Sequence, residues 1–142
     1  IYTVRFSGVI LMWSNNYISV PFEERGRNRQ GCDCWGLARL IYKEQLGIDL
    51  PALLDYKNTK DSRNIAEIYE IEHQEWQEIP LGQEKSFDIL VFKIMGLPTH
   101  IAVVVDKGLM IHCEKGCGTH ISEYNKEVQW KTRLAGVYRY VK

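Results

Sequence analysis

Residues 100–105 and 109–113 are two apolar runs on either side of Asp106-Lys107-Gly108. Gly108 takes a positive φ without steric cost, so the tripeptide predicts a tight turn and the runs an antiparallel hairpin. That hairpin commits the chain to an antiparallel sheet, whose alternation divides side chains between two faces. A three-residue turn pairs Val105 with Leu109 and sets Ala102 opposite His112. His100 and His112 then become diagonal neighbours on one face. Ile101, Val103, Val105, Leu109, Ile111 and Cys113 form the other, a core face, which leaves the histidines where a helix start could meet them. A two-residue turn would shift the pairing by one and separate the two rings.

Other strand signals also follow Pro80. Residues 87–94 are apolar apart from Asp88 and Lys93, as in a central strand, and residues 135–141 predict a closing strand. Helical signals come earlier. Asp33 is a fitting N-cap for a helix over residues 34–46, with Leu37, Leu40, Ile41 and Leu46 as its apolar stripe. Gly47 supplies the stop and Pro51 excludes continuation. A second helix is predicted over residues 62–72. Residues 2–13 predict a strand and then a short helix, and residues 21–30 an Arg-rich loop. Helices followed by an antiparallel sheet is an α+β order.

The length, 142 residues, fits a single domain over residues 1–142. Eighteen basic and eighteen acidic residues cancel, which gives no support for broad phosphate contact with nucleic acid and argues against a polybasic membrane anchor. The longest apolar stretches, residues 9–13 and 101–105, are too short for a membrane span. No charged start leads into an apolar secretion segment, so no signal peptide is expected. The chain begins at Ile1 rather than Met, which fits a fragment or a processed form. Four cysteines fall in two close pairs, Cys32/Cys34 and Cys113/Cys117, and are read as reduced thiols.

Cys34 carries the chemistry. It opens the predicted helix, where the partial positive charge of the helix N-terminus favours a thiolate. An unperturbed thiol, with a pKa of about 8.5, is mostly protonated at neutral pH, so a nearby imidazolium from His100 would add to the effect. His112 could hold the other ring nitrogen of His100 and fix its tautomer. Nucleophile, base and orienting residue together point to acyl transfer.

These residues also carry a family resemblance. Asp33-Cys34-Trp35-Gly36-Leu37 looks like the Asp-Cys-Ser-Gly signature of the NlpC family of cell-wall cysteine peptidases. The strand from His100 resembles that family's His-Val-Gly-Ile-Tyr strand, and Met110-Ile111-His112-Cys113 resembles its Phe-Ile-His-Ala. Residues 86–92 are similar to its Gly-Asp-Leu-Val-Phe-Phe strand. Residues 13–22, 31–37 and 44–51 resemble the bacteriophage tail-associated subgroup. The resemblance implies a papain-like fold, N-terminal helices packed on a C-terminal antiparallel β-sheet. It implies Cys34 as nucleophile, His100 as general base and His112 as third residue, with no metal or organic cofactor. The implied substrate is a peptidoglycan stem peptide, and the implied partners are other phage tail-tip proteins. The implied location is the virion tail tip, or a prophage product made in the bacterial cytoplasm that acts on the cell wall. At Phe22 the bacterial enzymes commonly carry Tyr, whose hydroxyl can help hold an oxyanion.

Other roles fit some of these residues. Asp33 is a cap, Asp88 a structural residue that could also hold loop amides near the site, and Trp13 and Trp35 core or cleft wall. Arg25, Arg27 and Arg29 form a basic loop able to meet a stem-peptide carboxylate. His73 and His120 are read as surface residues. Two alternatives stand beside the peptidase: a structural tail-assembly component with the fold but weak activity, and a zinc-binding module using His112, Cys113, Cys117 and His120.

Overall fold

The computed structural model describes residues 3–6, 9–51 and 76–141. The predicted helix over residues 62–72 and His73 lie outside the described residues.

The N-terminal segment forms β1 (Thr3–Phe6) and β2 (Val9–Met12), paired with each other, and then a 3-10 turn at Trp13–Tyr17. Two strands thus stand where one strand and a helix were expected. The β-branched Val9 and Ile10 favour extended backbone. Within the Arg-rich segment, β3 (Arg27–Asn28) and β4 (Gly31–Cys32) make a short ribbon.

Helix α1 (Cys34–Ile41) starts where Asp33 caps it, the Asp33 carboxylate accepting from Gly36 N–H at 2.8 Å. It continues as one π-helical turn, Tyr42–Leu46, and stops at Gly47, whose φ of 69° is left-handed. Asp33 is fully buried and also accepts from Arg25 N–H at 3.1 Å and Arg27 Nη1 at 2.8 Å. The loop is thereby tied to the helix start. Gly36 is required there: a Cβ at that position would lie 2.0 Å from the Gly26 carbonyl oxygen.

The remaining strands are β5 (Trp76–Glu78), β6 (Ile89–Ile94), β7 (Leu97–Asp106), β8 (Leu109–Glu114), β9 (Gly118–Ser122) and β10 (Leu134–Tyr140). They form an antiparallel sheet in the order β5-β10-β6-β7-β8-β9, and α2 (Val128–Lys131) lies between β9 and β10 in sequence. The central strand starts at Ile89 rather than Phe87. Phe87 has a φ of 76°, stacks on Trp13 at 4.7 Å, and its carbonyl accepts from the buried Tyr42 hydroxyl.

The β7–β8 turn is shorter than the three-residue turn expected: Asp106 stands opposite Leu109, and Lys107-Gly108 make the turn. A bulge at Val105 absorbs the difference, so Val104 faces Met110 and Val103 faces Ile111. The two histidines therefore keep the register that brings them together.

Both sheet faces are covered. On the first, α1 contributes Leu37, Ala38 and Ile41 against Val91, Ile101, Val103, Val105 and Ile111. On the second, Leu90, Phe92, Ala102, Val104, Met110 and Val137 pack with Tyr124 and with Trp130 of α2.

Asp33→Ala is expected to destabilise the fold by about 3 kcal/mol, because it removes both the cap and the partner of the largely buried Arg27. Asp33→Asn, which keeps an acceptor for Gly36 N–H, should cost less. Urea denaturation with an unchanged slope checks the ranking, and a cost below about 0.5 kcal/mol for Asp33→Ala contradicts it.

Candidate active site

Cys34, Phe22, Thr99, His100, Glu114 and Trp130 line one cleft of about 400 Å³. The cleft lies at the end of the sheet, beside the start of β7 and the end of β8. Its position follows from how the two reactive segments are held. The body of α1 packs on the first face, whereas strand alternation puts His100 and His112 on the second, with Ala102 and Val104. Only the helix start, the part the sequence pointed to, shares a cleft with His100. Its first residue lies at the strand end, where Cys34 Sγ sits 3.9 Å from the carbonyl oxygen of Thr99, the residue before His100.

His100 Nε2 lies 2.9 Å from His112 Nδ1, which leaves His100 Nδ1 for a partner in the cleft. His112 is fully buried, and its Nε2 lies 2.8 Å from Ser122 Oγ. Trp130 holds both rings. It stacks on His100 at 5.1 Å and 24°, and meets His112 edge-on at 4.9 Å and 87°. Directly across the ladder from His112 stands His120, with ring centroids 4.3 Å apart. His120 is thus a neighbour of the site and not merely a surface residue. Its Nδ1–H donates to the Gly118 carbonyl at 3.1 Å, and its Nε2 lies 3.1 Å from Glu114 Oε1.

The other sequence-selected residues divide clearly. Asp88 is buried, accepts from Lys85 N–H at 2.8 Å and forms a two-point ion pair with Arg139, with both contacts at 2.8 Å. It is structural. Arg27 pairs with Asp33, and Arg29 pairs with Glu44 at 2.6 Å over the Tyr17 ring, so both serve the fold. Trp35 Nε1–H donates to Pro51 O at 2.8 Å. The four residues of the zinc-module alternative do not converge. Cys113 points into the first core and its thiol donates to Cys32 O at 3.2 Å, while Cys117 is exposed. No disulfide joins the cysteines. Ser122, Glu114 and Trp130 had not been singled out.

Burial sets the charge state. It pulls His100 from 6.5 down to about 4, with His120 adding to the effect. It pulls His112 down to about 2, with His100 and His120 contributing. Burial pushes the Cys34 thiol up to about 12, and the negative Asp33 beside it adds, against the backbone amides of Ile101 and Trp35. The free protein therefore holds a neutral thiol and a neutral imidazole, not the standing ion pair expected from the helix start. Loss of water outweighs the field of the helix terminus.

Both histidines hold protons less readily folded than unfolded. Below about 6.5 the unfolded chain binds more protons, so stability is full above that pH and falls as the pH drops toward about 4 and beyond. Thermal melts from about pH 7 to about pH 4 should show Tm decreasing, and His112→Gln should flatten the decrease. An identical slope in the variant would contradict a buried, neutral His112.

The chain matches the NlpC/P60 family profile over residues 19–139. It is 21% identical over 114 residues to the murein DD-endopeptidase MepS/murein LD-carboxypeptidase of Escherichia coli, covering 80% of this chain and 52% of that protein. The chain thus spans about half the length of the curated relatives it matches. The NlpC/p60 domain of the peptidoglycan hydrolase SagA superposes with a TM-score of 0.62 at 21% identity, covering 89% of this chain and 92% of that one. An NlpC/P60 family protein from Bacillus cereus gives a TM-score of 0.66 at 22% identity, covering 91% and 38%. These structures share the papain-like α+β fold found here, with α1 packed on an antiparallel sheet. With 121 of its 142 residues inside the match, this chain belongs to the NlpC/P60 family.

Proposed function

We propose that the chain is a cysteine endopeptidase that hydrolyses an amide bond in peptidoglycan stem peptides. The observation that carries this is the convergence of Cys34, at the start of α1, with His100 in one cleft, while His112 holds the far nitrogen of His100 at 2.9 Å. For His100 to act as base, Nδ1 must carry a lone pair. Nε2–H then donates to His112 Nδ1, and His112 Nε2–H donates to Ser122 Oγ.

In this reading the Cys34 proton passes to His100 Nδ1 as sulfur attacks the carbonyl carbon. The imidazolium that forms lies against the Trp130 face, which favours a cation. Backbone N–H groups at the start of α1 stabilise the oxyanion, since Phe22 has no hydroxyl to offer. His100 returns the proton to the leaving amine, and water, activated by the same imidazole, hydrolyses the thioester. The resting thiol is neutral, so proton transfer and attack are coupled. The murein substrate named for the Escherichia coli relative supports the substrate class.

We further propose that the domain works in a phage tail tip, or as a prophage product, beside other tail proteins. The residues that carry this are the two segments around the core motif, 13–22 and 44–51.

Purified muropeptides incubated with the wild type should be cleaved, with products read by mass. Cys34→Ala should lower the rate by about a thousandfold or more, and His100→Ala by about a hundredfold to ten-thousandfold. Equal products from the wild type and Cys34→Ala would overturn the assignment. No cleavage by a folded wild type across wall types would favour a structural tail component.

A further inference from the structure

His112, Glu114 and His120 form a triangle on β8 and β9 of which the peptidase reading uses one corner. His112 and His120 are opposed cross-strand partners. Glu114 is two residues beyond His112 and shares its face. Glu114 Oε1 lies 3.1 Å from His120 Nε2 and 4.0 Å from His112 Nδ1. One ligand atom from each residue falls within 4.8 Å of the other two. With zinc bonds of about 2.0–2.1 Å, tetrahedral ligand atoms stand about 3.3 Å apart. A contraction of up to about 1.5 Å on the widest edge closes the triangle on an ion.

The outer contacts fit as well. A histidine bound to a metal usually donates its other ring N–H to a carbonyl or another polar oxygen. His120 Nδ1–H does so to Gly118 O at 3.1 Å, leaving Nε2 as a lone pair. His112 Nε2 has Ser122 Oγ at 2.8 Å, leaving Nδ1. His120 Nε2 and Glu114 Oε1 therefore face each other at 3.1 Å, a contact that a metal ion can bridge as well as a proton can. Glu114 lines the cleft, and the Glu114 and His120 side chains are 30% and 33% exposed, which gives an ion a way in.

We propose that His112 Nδ1, Glu114 and His120 Nε2 bind a divalent zinc-class ion, with water in the remaining position, and that this ion switches the cleft off. The switching half rests on the peptidase reading above. The ion takes the lone pair that His100 Nε2–H uses, so His100 loses its orienting partner. Two positive charges beside His100 also oppose formation of its imidazolium.

The test is calorimetric titration of zinc chloride into the chelator-treated chain and into His120→Ala, Glu114→Gln and Cys34→Ala. The wild type is expected to bind one equivalent, and His120→Ala and Glu114→Gln to bind about tenfold more weakly or worse. Cys34→Ala should bind like the wild type, and the cobalt(II) form should lack a thiolate-to-metal charge-transfer band. Loss of binding in Cys34→Ala, a thiolate band, or no binding by the wild type would overturn the site. Muropeptide cleavage with and without zinc tests the switch: the ratio should fall about tenfold or more in the wild type and stay within about twofold of unity in His120→Ala. An equal fall in both would overturn the switch. Zinc held by the triangle in a wild type that cleaves nothing without metal would leave the ion site standing and remove the peptidase reading instead.

Discussion

The 2.9 Å contact between His100 and His112 depends on one bulged residue. Lys107-Gly108 alone would shift β8 by one position against β7 and send the two imidazoles to opposite faces. Val105 takes up the extra residue, and from Val104 onward the ladder runs in the register that keeps the rings together. Because each face of this sheet has its own core, a slip would cost far more than one hydrogen bond. It would move His112 among aliphatic side chains on the α1 side and Ile111 against Trp130. The packing of two cores thus enforces the geometry of the site.

A second constraint acts at the helix start. Asp33 ties Arg25, Arg27 and Gly36 into one knot, so the chain enters α1 in a single direction and delivers Cys34 to the strand end. The same carboxylate disfavours a thiolate beside it. The anchor that positions the sulfur also helps keep it protonated. Trp130 has a comparable double part. It seals the second core and forms the wall against which His100 and His112 lie. Burial that makes the rings rigid also makes them poor bases in the free protein, so the site trades proton affinity for orientation.

Much of this could be read from residue patterns, for identifiable reasons. The cap at Asp33, the stop at Gly47 and the apolar stripe between them are local signals, and α1 follows them. The alternation of residues 100–113 correctly separated the α1-facing side chains from the histidines. What local pattern could not reveal was how far each element reaches. Strand β9 is Gly-Thr-His-Ile-Ser, short and polar, and without it His120 and Ser122 had no place beside His112. Trp130 sits in a helix of only four residues, too short for any periodicity. That Cys34 and His100 line one cleft at the strand end is a product of tertiary packing. The roles of the arginines likewise depended on acids, Asp33 and Glu44, whose proximity only the fold creates.

The proposed chemistry needs one direction of hydrogen bonding: His100 Nε2–H donates to His112 Nδ1, and His112 Nε2–H to Ser122. Nitrogen-15 NMR of histidine-labelled protein at neutral pH reads this directly through the chemical shifts of the ring nitrogens. Both rings are expected to be neutral and protonated at Nε2, with Nδ1 of His100 bare in the cleft that Cys34 lines. Protonation of His100 at Nδ1 in the free protein would contradict it, because that nitrogen could then accept nothing from the thiol.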